Sequence, residues 1–241
     1  MSSQVVNLRK AHNVCEQCGI YRLCLPMGLS SGDVDQLDDI IKRTRPLKKG
    51  EHVFRAGEDF GSIYALRSGS IKSYIINERG EEHVVGFKMP GDLVGLNGIN
   101  GAHYQNSAIA LETSSVCEIP FAQLEELGKE IKGLSHHLIE IMSKEIQEEH
   151  HKVAMCSKMP ADARLASVIQ TMSQRFEERG FSPSEFHLSM SRNDIANMLG
   201  LAVETVSRLF TQFQEQGILS VDRKHIRIID SEKLTNLIRM D

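Results

Sequence analysis

The stretch RNDIANMLGLAVETVSRLFT, residues 192–211, constrains the fold more than any other part of the chain. Two helices that cross closely need a small residue at the crossing, and Ala196 supplies one. The turn between them needs a residue that tolerates positive φ, and Gly200 sits four residues later. Val206, six residues further on, is placed as the apolar inner residue of the second helix, with Ile195, Leu199, Leu201 and Leu209 filling the other inner places. Ser191, with Asp194 three residues on, starts the first helix as a capping box. The spacing predicts a helix-turn-helix. In the second helix Val206, Leu209, Phe210 and Phe213 recur at i, i+3, i+4 and i+7 and form its inner face.

Glu204, Ser207 and Arg208 form a second stripe on that helix. Arg bonds guanine bidentately, Glu accepts from the cytosine amine, and Ser adapts to either. An ordinary helical hairpin with a solvated Glu–Arg pair is the competing reading. The joint spacing of Ala196, Gly200 and Val206 favours DNA binding. Ala202 is a poor N-cap, which leaves N–H groups at that helix start for a phosphate. Bulk charge gives no help. The net charge is -4, and residues 157–241 hold 11 Lys and Arg against 11 Asp and Glu, so affinity has to come from charge placement.

Upstream of this motif the pattern changes three times. Three cysteines lie in a short polar arm, residues 1–28, and a helical pattern with Leu29, Val34, Leu37, Ile40 and Ile41 follows over about 29–44. From about 46 to 120, glycines punctuate short apolar runs such as SIYAL, SIKSYII and HVVGF, which predicts an antiparallel roll or barrel. Residues 121–158 read as a long helix. Along it Leu138, Met142, Ile146, Glu149 and Val153 step by three or four in a coiled-coil seam suited to a homodimer. Pro160 marks the boundary to a small domain over 159–241 that ends in the hairpin-like SVDRKHIRIID. No stretch approaches the roughly 20 apolar residues of a membrane span. The opening MSSQVVNLRKAHNV has no apolar signal region. A cytoplasmic protein without membrane partners is expected.

In that compartment thiols stay reduced, so the five cysteines read as ligands or buried thiols. Cys15, Cys18 and Cys24 form C-x2-C-x5-C, which suits an iron–sulfur cluster or zinc, or leaves three bare thiols. A fourth ligand from either Cys117 or Cys156 would complete a set.

The segments CEQCGIYRLC, YALRSGSIKSY, GDLVG, ALETSSVCEIPF, ERGFSPSEF and LGLAVETVSRLF, in this order, resemble the CRP/FNR superfamily, specifically its FNR (fumarate and nitrate reduction) branch of oxygen-responsive regulators. The resemblance implies an α+β architecture: an antiparallel β-roll like the cyclic-nucleotide-binding jelly roll over 29–120, a dimerisation helix over 121–158, and a winged helix-turn-helix over 159–241. It implies a 4Fe–4S cluster held by Cys15, Cys18, Cys24 and Cys117, intact without oxygen and lost with it. It also implies a homodimer that binds inverted repeats with TTGAT-like halves and controls genes of anaerobic metabolism as activator or repressor. Glu204, Ser207 and Arg208 fall on the family's base-reading positions, and the turn over 77–82 on its contact with RNA polymerase. Glu149 stands where the family usually has Asp. Cys156 has no counterpart among the cluster ligands.

The cAMP-responsive branch of the superfamily uses a Glu on the ribose and an Arg–Ser pair on the cyclic phosphate. Here Leu96 takes the Glu position and Asn106 the Arg position, beside Ser107, so a bound phosphate would be buried without a cation. Nucleotide sensing is rejected. The sequence shows no constellation of acid, base and nucleophile and no GxxxxGK[ST] loop, so an enzyme is not expected. The alternative reading is a zinc-stabilised regulator with a small-molecule effector in the roll.

Overall fold

A computed structural model describes residues 15–239. The first fourteen residues of the cysteine arm lie outside the described residues. Behind two short 3-10 turns, Cys15–Gln17 and Tyr21–Leu23, helix α1 (Ser31–Ile40) is capped by Ser30, whose hydroxyl accepts from Asp33 N–H at 3.3 Å. Its apolar stripe puts Val34 and Leu37 fully out of solvent.

The punctuated region forms two four-stranded antiparallel sheets packed as a roll. One has the order β1 (Lys42–Arg43), β8 (Ser115–Pro120), β3 (Ser62–Ser68), β6 (Leu93–Val94). The other has β2 (His52–Phe54), β7 (Ser107–Ala110), β4 (Ile71–Ile76), β5 (Glu82–Lys88). Their facing residues, among them Phe54, Leu66, Ile71, Ala108 and Val116, form one core cluster. Each large side chain buried this way contributes about 1.5–3 kcal/mol of transfer free energy.

The helical region over 121–158 is two helices, α2 (Phe121–Glu130) and α3 (Lys132–Lys158), where the periodicity predicts one. Ile131 between them is extended, with φ -101° and ψ 90°, and only 7% exposed. It packs with Leu124 and Leu134 against the roll, and Ser135 Oγ donates to the Gly128 carbonyl at 2.7 Å across the break. The apolar spacing runs through the break because both helices face the same core, so periodicity alone does not reveal it.

Helix α4 (Ala161–Glu178) opens the C-terminal domain, followed by β9 (Glu185–His187), α5 (Arg192–Leu199), α6 (Val203–Glu215), β10 (Leu219–Asp222), β11 (His225–Ile228) and α7 (Ser231–Ile238). β10, β11 and β9 form the wing as a three-stranded sheet. The core of this domain continues into the roll, since Val84, Phe87 and Met89 belong to the same cluster as Leu165, Ile169, Leu199 and Phe213. Among the described residues no helix is long and apolar enough to cross a membrane.

Candidate functional site

The helix-turn-helix forms for the local reasons its sequence suggests. Ser191 Oγ accepts from Asp194 N–H at 3.1 Å, and the Asp194 carboxylate accepts from Ser191 N–H at 2.9 Å, a complete capping box. Gly200 ends α5 in the left-handed region at φ +64°, where a β-carbon is strained. Ala196, 2% exposed, is buried in the core cluster that α5 and α6 share. Val206, Leu209, Phe210 and Phe213 are buried, while Glu204, Ser207 and Arg208 stand exposed on the opposite face of α6. Ser207 Oγ donates to the Val203 carbonyl at 2.9 Å, and Arg208 Nη2 donates to Thr205 Oγ1 at 3.4 Å. Ala202 provides no side-chain cap to α6.

Sequence reasoning missed what braces this motif. The Arg192 guanidinium lies 3.2 Å above the centroid of the Phe210 ring, stacking α5 onto α6, a contact worth about 0.5–2 kcal/mol. Burial pulls its pKa down to about 10. Lys72 of β4 donates to Asp194 at 2.9 Å and to Glu82 at 2.7 Å. The Asn197 amide completes β5 as a strand would: its Oδ1 accepts from Val84 N–H at 2.7 Å and its Nδ2 donates to the Glu82 carbonyl at 2.7 Å. Capping and helix periodicity explain Asp194 and Asn197 locally, so nothing in the sequence signals their second partners.

At the other end of the roll, Cys15, Cys18, Cys24 and Cys117 line one cavity whose other walls are mostly apolar, including Leu25, Leu37, Ala65 and Ile119. The arm wraps it through short turns, with Cys18 N–H donating to the Cys15 carbonyl at 3.0 Å and Tyr21 N–H to the Cys18 carbonyl at 2.9 Å. Cys117 enters from β8, in register with Ala65 on one side and Arg43 on the other. The cavity is about 30 Å³. Burial, with the neighbouring Cys117 and Cys18, pushes the Cys24 thiol up to about 12. Burial also raises Cys15 and Cys117. All four are free thiols. Among the described residues no three His, Cys, Asp or Glu side chains already stand as a single-ion site. Cys156 lies far from this cavity in fold terms, on α3 against the C-terminal core, with its Sγ 4.0 Å from the Met198 carbonyl.

Along α3 an exposed apolar stripe runs through Ile139, Ile146 and Val153, which are 64%, 54% and 68% exposed. Met142 is half-buried and Glu149 exposed. Leu138, expected in this seam, instead packs against the roll core beside Ile141, and Ile139, seven residues before Ile146, takes its place. The break at Ile131 resets which face of α3 meets the roll. Glu149 forms an ion pair with Lys152, and Lys152 Nζ also donates to the Val85 carbonyl at 2.8 Å. Between roll, α3 and α4 lies a groove of about 990 Å³ lined by residues that include Leu96 and Asn106. Its cations are engaged: Lys88 with Glu145 at 2.5 Å, Lys152 with Glu149, and Arg175 with Asp92.

Residues 163–237 match the Crp-like helix-turn-helix domain, and residues 44–130 match the cyclic nucleotide-binding domain. The chain is 49% identical over 230 residues to the transcriptional activator protein anr of Pseudomonas aeruginosa, covering 95% of this chain and 93% of that relative. It is 47% identical over 223 residues to the fumarate and nitrate reduction regulatory protein of Escherichia coli, covering 92% and 89%. The solved structure of FixK2 from Bradyrhizobium japonicum shares the fold with a TM-score of 0.77 at 25% identity, covering 84% of this chain and 99% of that one. The roll, the long helix and the exposed reading face of α6 are thus those of a transcription regulator and not of an enzyme. The chain is a DNA-binding transcriptional activator that belongs to the CRP/FNR family, FNR type.

Proposed function

We propose that the chain is an oxygen-sensing regulator in which Cys15, Cys18, Cys24 and Cys117 hold a 4Fe–4S cluster. The observation that carries this reading is that three arm thiols and one strand thiol, 93 residues beyond the last of them, line one cavity. Four thiolates are the donor set such a cluster takes, and the raised pKa values of Cys15, Cys24 and Cys117 mean that loading releases protons. When bound, the cluster supplies an oxygen-labile centre. The chain's own residues do the rest: α3 pairs with a second copy along Ile139, Met142, Ile146, Glu149 and Val153, and Glu204, Ser207 and Arg208 of both copies read TTGAT-like halves of an inverted repeat. The turn over 77–82 stands at the outer edge of the roll, with Ile76 60% exposed, and is the surface offered to RNA polymerase.

Iron and sulfide content after anaerobic purification tests the ligand set. Each of Cys15→Ser, Cys18→Ser, Cys24→Ser and Cys117→Ser is expected to lose the stable cluster, because three thiolates leave one iron open. Cys156→Ser is expected to keep it. A full cluster in Cys117→Ser together with its loss in Cys156→Ser overturns the assignment. A colourless wild-type protein with one zinc per chain favours the zinc-stabilised regulator instead.

A further inference from the structure

Between β5 and β6 the chain turns through Met89, Pro90, Gly91 and Asp92, and three parts of the molecule meet on this turn. The cysteine arm presses on one side. Gly91 stands at φ +100°, and a Cβ there would come within 2.8 Å of Leu23 Cβ and 3.1 Å of the Leu23 carbonyl oxygen. Leu23 directly precedes Cys24. Strand β3 holds the second side: Gly91 N–H donates to the Leu66 carbonyl at 2.8 Å, and Leu66 N–H donates to the Asp92 carbonyl at 2.9 Å. Ala65, next to Leu66, is the register partner of Cys117.

Helix α4 of the DNA-binding domain holds the third side. The Asp92 carboxylate accepts from Arg175 Nη2 and, at 2.9 Å, from Arg179 Nη2, and it also accepts from Met89 N–H at 2.7 Å. Arg175 Nη1 donates to the Phe87 carbonyl at 2.9 Å, and Arg179 Nε donates to the Pro90 carbonyl at 2.8 Å. The Arg179 side chain is 5% exposed. Forked guanidiniums bound both to a carboxylate and to backbone carbonyls fix orientation as well as distance.

We infer that the Met89–Asp92 turn transmits the state of the cysteine cavity to the DNA-binding domain, with Asp92, Arg175 and Arg179 as positioning residues. The inference rests on the proposed cluster. Cys24 bonds an iron when the cluster is loaded and is a free thiol when it is not, so its place in the cavity differs between the two states. Leu23 moves with Cys24, the packing on Gly91 changes, and the turn passes the change to α4 through its two arginines. The competing account is that the cavity acts through α3 pairing alone and the turn is static cement.

The test compares affinities of the full chain for a duplex carrying the TTGAT inverted repeat, cluster-loaded and after iron removal by a chelator. In wild type the ratio of the two is expected within the usual range of coupling between sites, about 5–150-fold. Asp92→Asn is expected to keep the wild-type iron content while its ratio falls several-fold below that of wild type, leaving the part carried by α3 pairing. Coupling is reciprocal, so the duplex should raise the chelator concentration that strips half the iron, and should raise it more in wild type than in Asp92→Asn. Arg175→Gln, which leaves Arg179 on Asp92, is the milder variant should Asp92→Asn fail to fold, and a lowered ratio is expected there too. Parallel loss of both affinities at an unchanged ratio, in a variant that still loads iron, overturns the turn as a transmitter and leaves the cluster intact as a reading. A wild-type protein that gathers no iron anaerobically overturns both.

Discussion

A guanidinium on a DNA-facing helix strengthens binding either by selecting a base or by meeting phosphate, and in the proposed function Arg208 selects. It lies mid-helix on the exposed face of α6, one turn beyond Glu204, and is held only by a 3.4 Å bond to Thr205. Arg208→Ala is expected to cost about 1–3 kcal/mol at the cognate repeat and to relax preference at one G·C pair. Competition binding with cognate and random duplexes decides; equal weakening on both reduces Arg208 to a phosphate contact. Glu204 cannot bind phosphate, so its replacement should change which base is chosen more than overall grip. Arg192 acts one step back, because its stacking on Phe210 sets the angle at which α6 presents these side chains.

At the scale of elements, α3 carries a stripe with one charge in it. In the proposed pairing two copies of Glu149 meet near a two-fold axis, repel and lose hydration, and so hold the dimer near balance. The ion pair with Lys152 offsets part of that repulsion within each chain. Glu149→Ala is therefore expected to give a dimer that survives air and binds DNA without a cluster. Lys152→Ala should do the opposite, weakening the dimer by roughly 0.2–1 kcal/mol per protomer, the worth of an exposed pair. The double variant should behave as Glu149→Ala alone. Sedimentation in air and under nitrogen reads all three; a Glu149→Ala protein as monomeric in air as wild type sinks the switch.

In the whole molecule the DNA-binding domain is docked on its own roll by polar contacts at both ends of β5, with a shared apolar cluster between them. Asp92 and Asp194 serve these contacts. Burial alone would raise both pKa values, but Arg175, Lys88 and Arg179 hold Asp92 below its ordinary 3.8. Bonds from Ser191 and Lys72 do the same for Asp194. A depressed carboxylate contributes stability that is complete above the ordinary value and lost as pH falls through the depressed one, so acid should loosen the domains only below about pH 4. At neutral pH, Lys72→Met removes the charged donor to Asp194 and is expected to cost about 1.5–3 kcal/mol in denaturant unfolding. A loss confined to a few tenths would mean that Ser191 alone satisfies Asp194.

Local rules sufficed for the helix-turn-helix and the roll class, because a capping box, a left-handed Gly200 and side-chain periods of two or three to four are settled within a few residues of chain. They left Cys117 and Cys156 as equal candidates beside the arm, and only the resemblance separated them. Strand register puts the two in different places: β8 carries Cys117 into the cavity beside Ala65, while α3 carries Cys156 to the opposite domain. Tertiary packing likewise broke the long helix at Ile131 and turned Leu138 inward and Ile139 outward, a choice between adjacent apolar residues that periodicity ranks almost equally. The Asp92–Arg175–Arg179 contact and the Arg192–Phe210 stack join residues far apart in sequence. Each charged side chain among them looks like an ordinary solvated charge until the fold removes its water and supplies its partner.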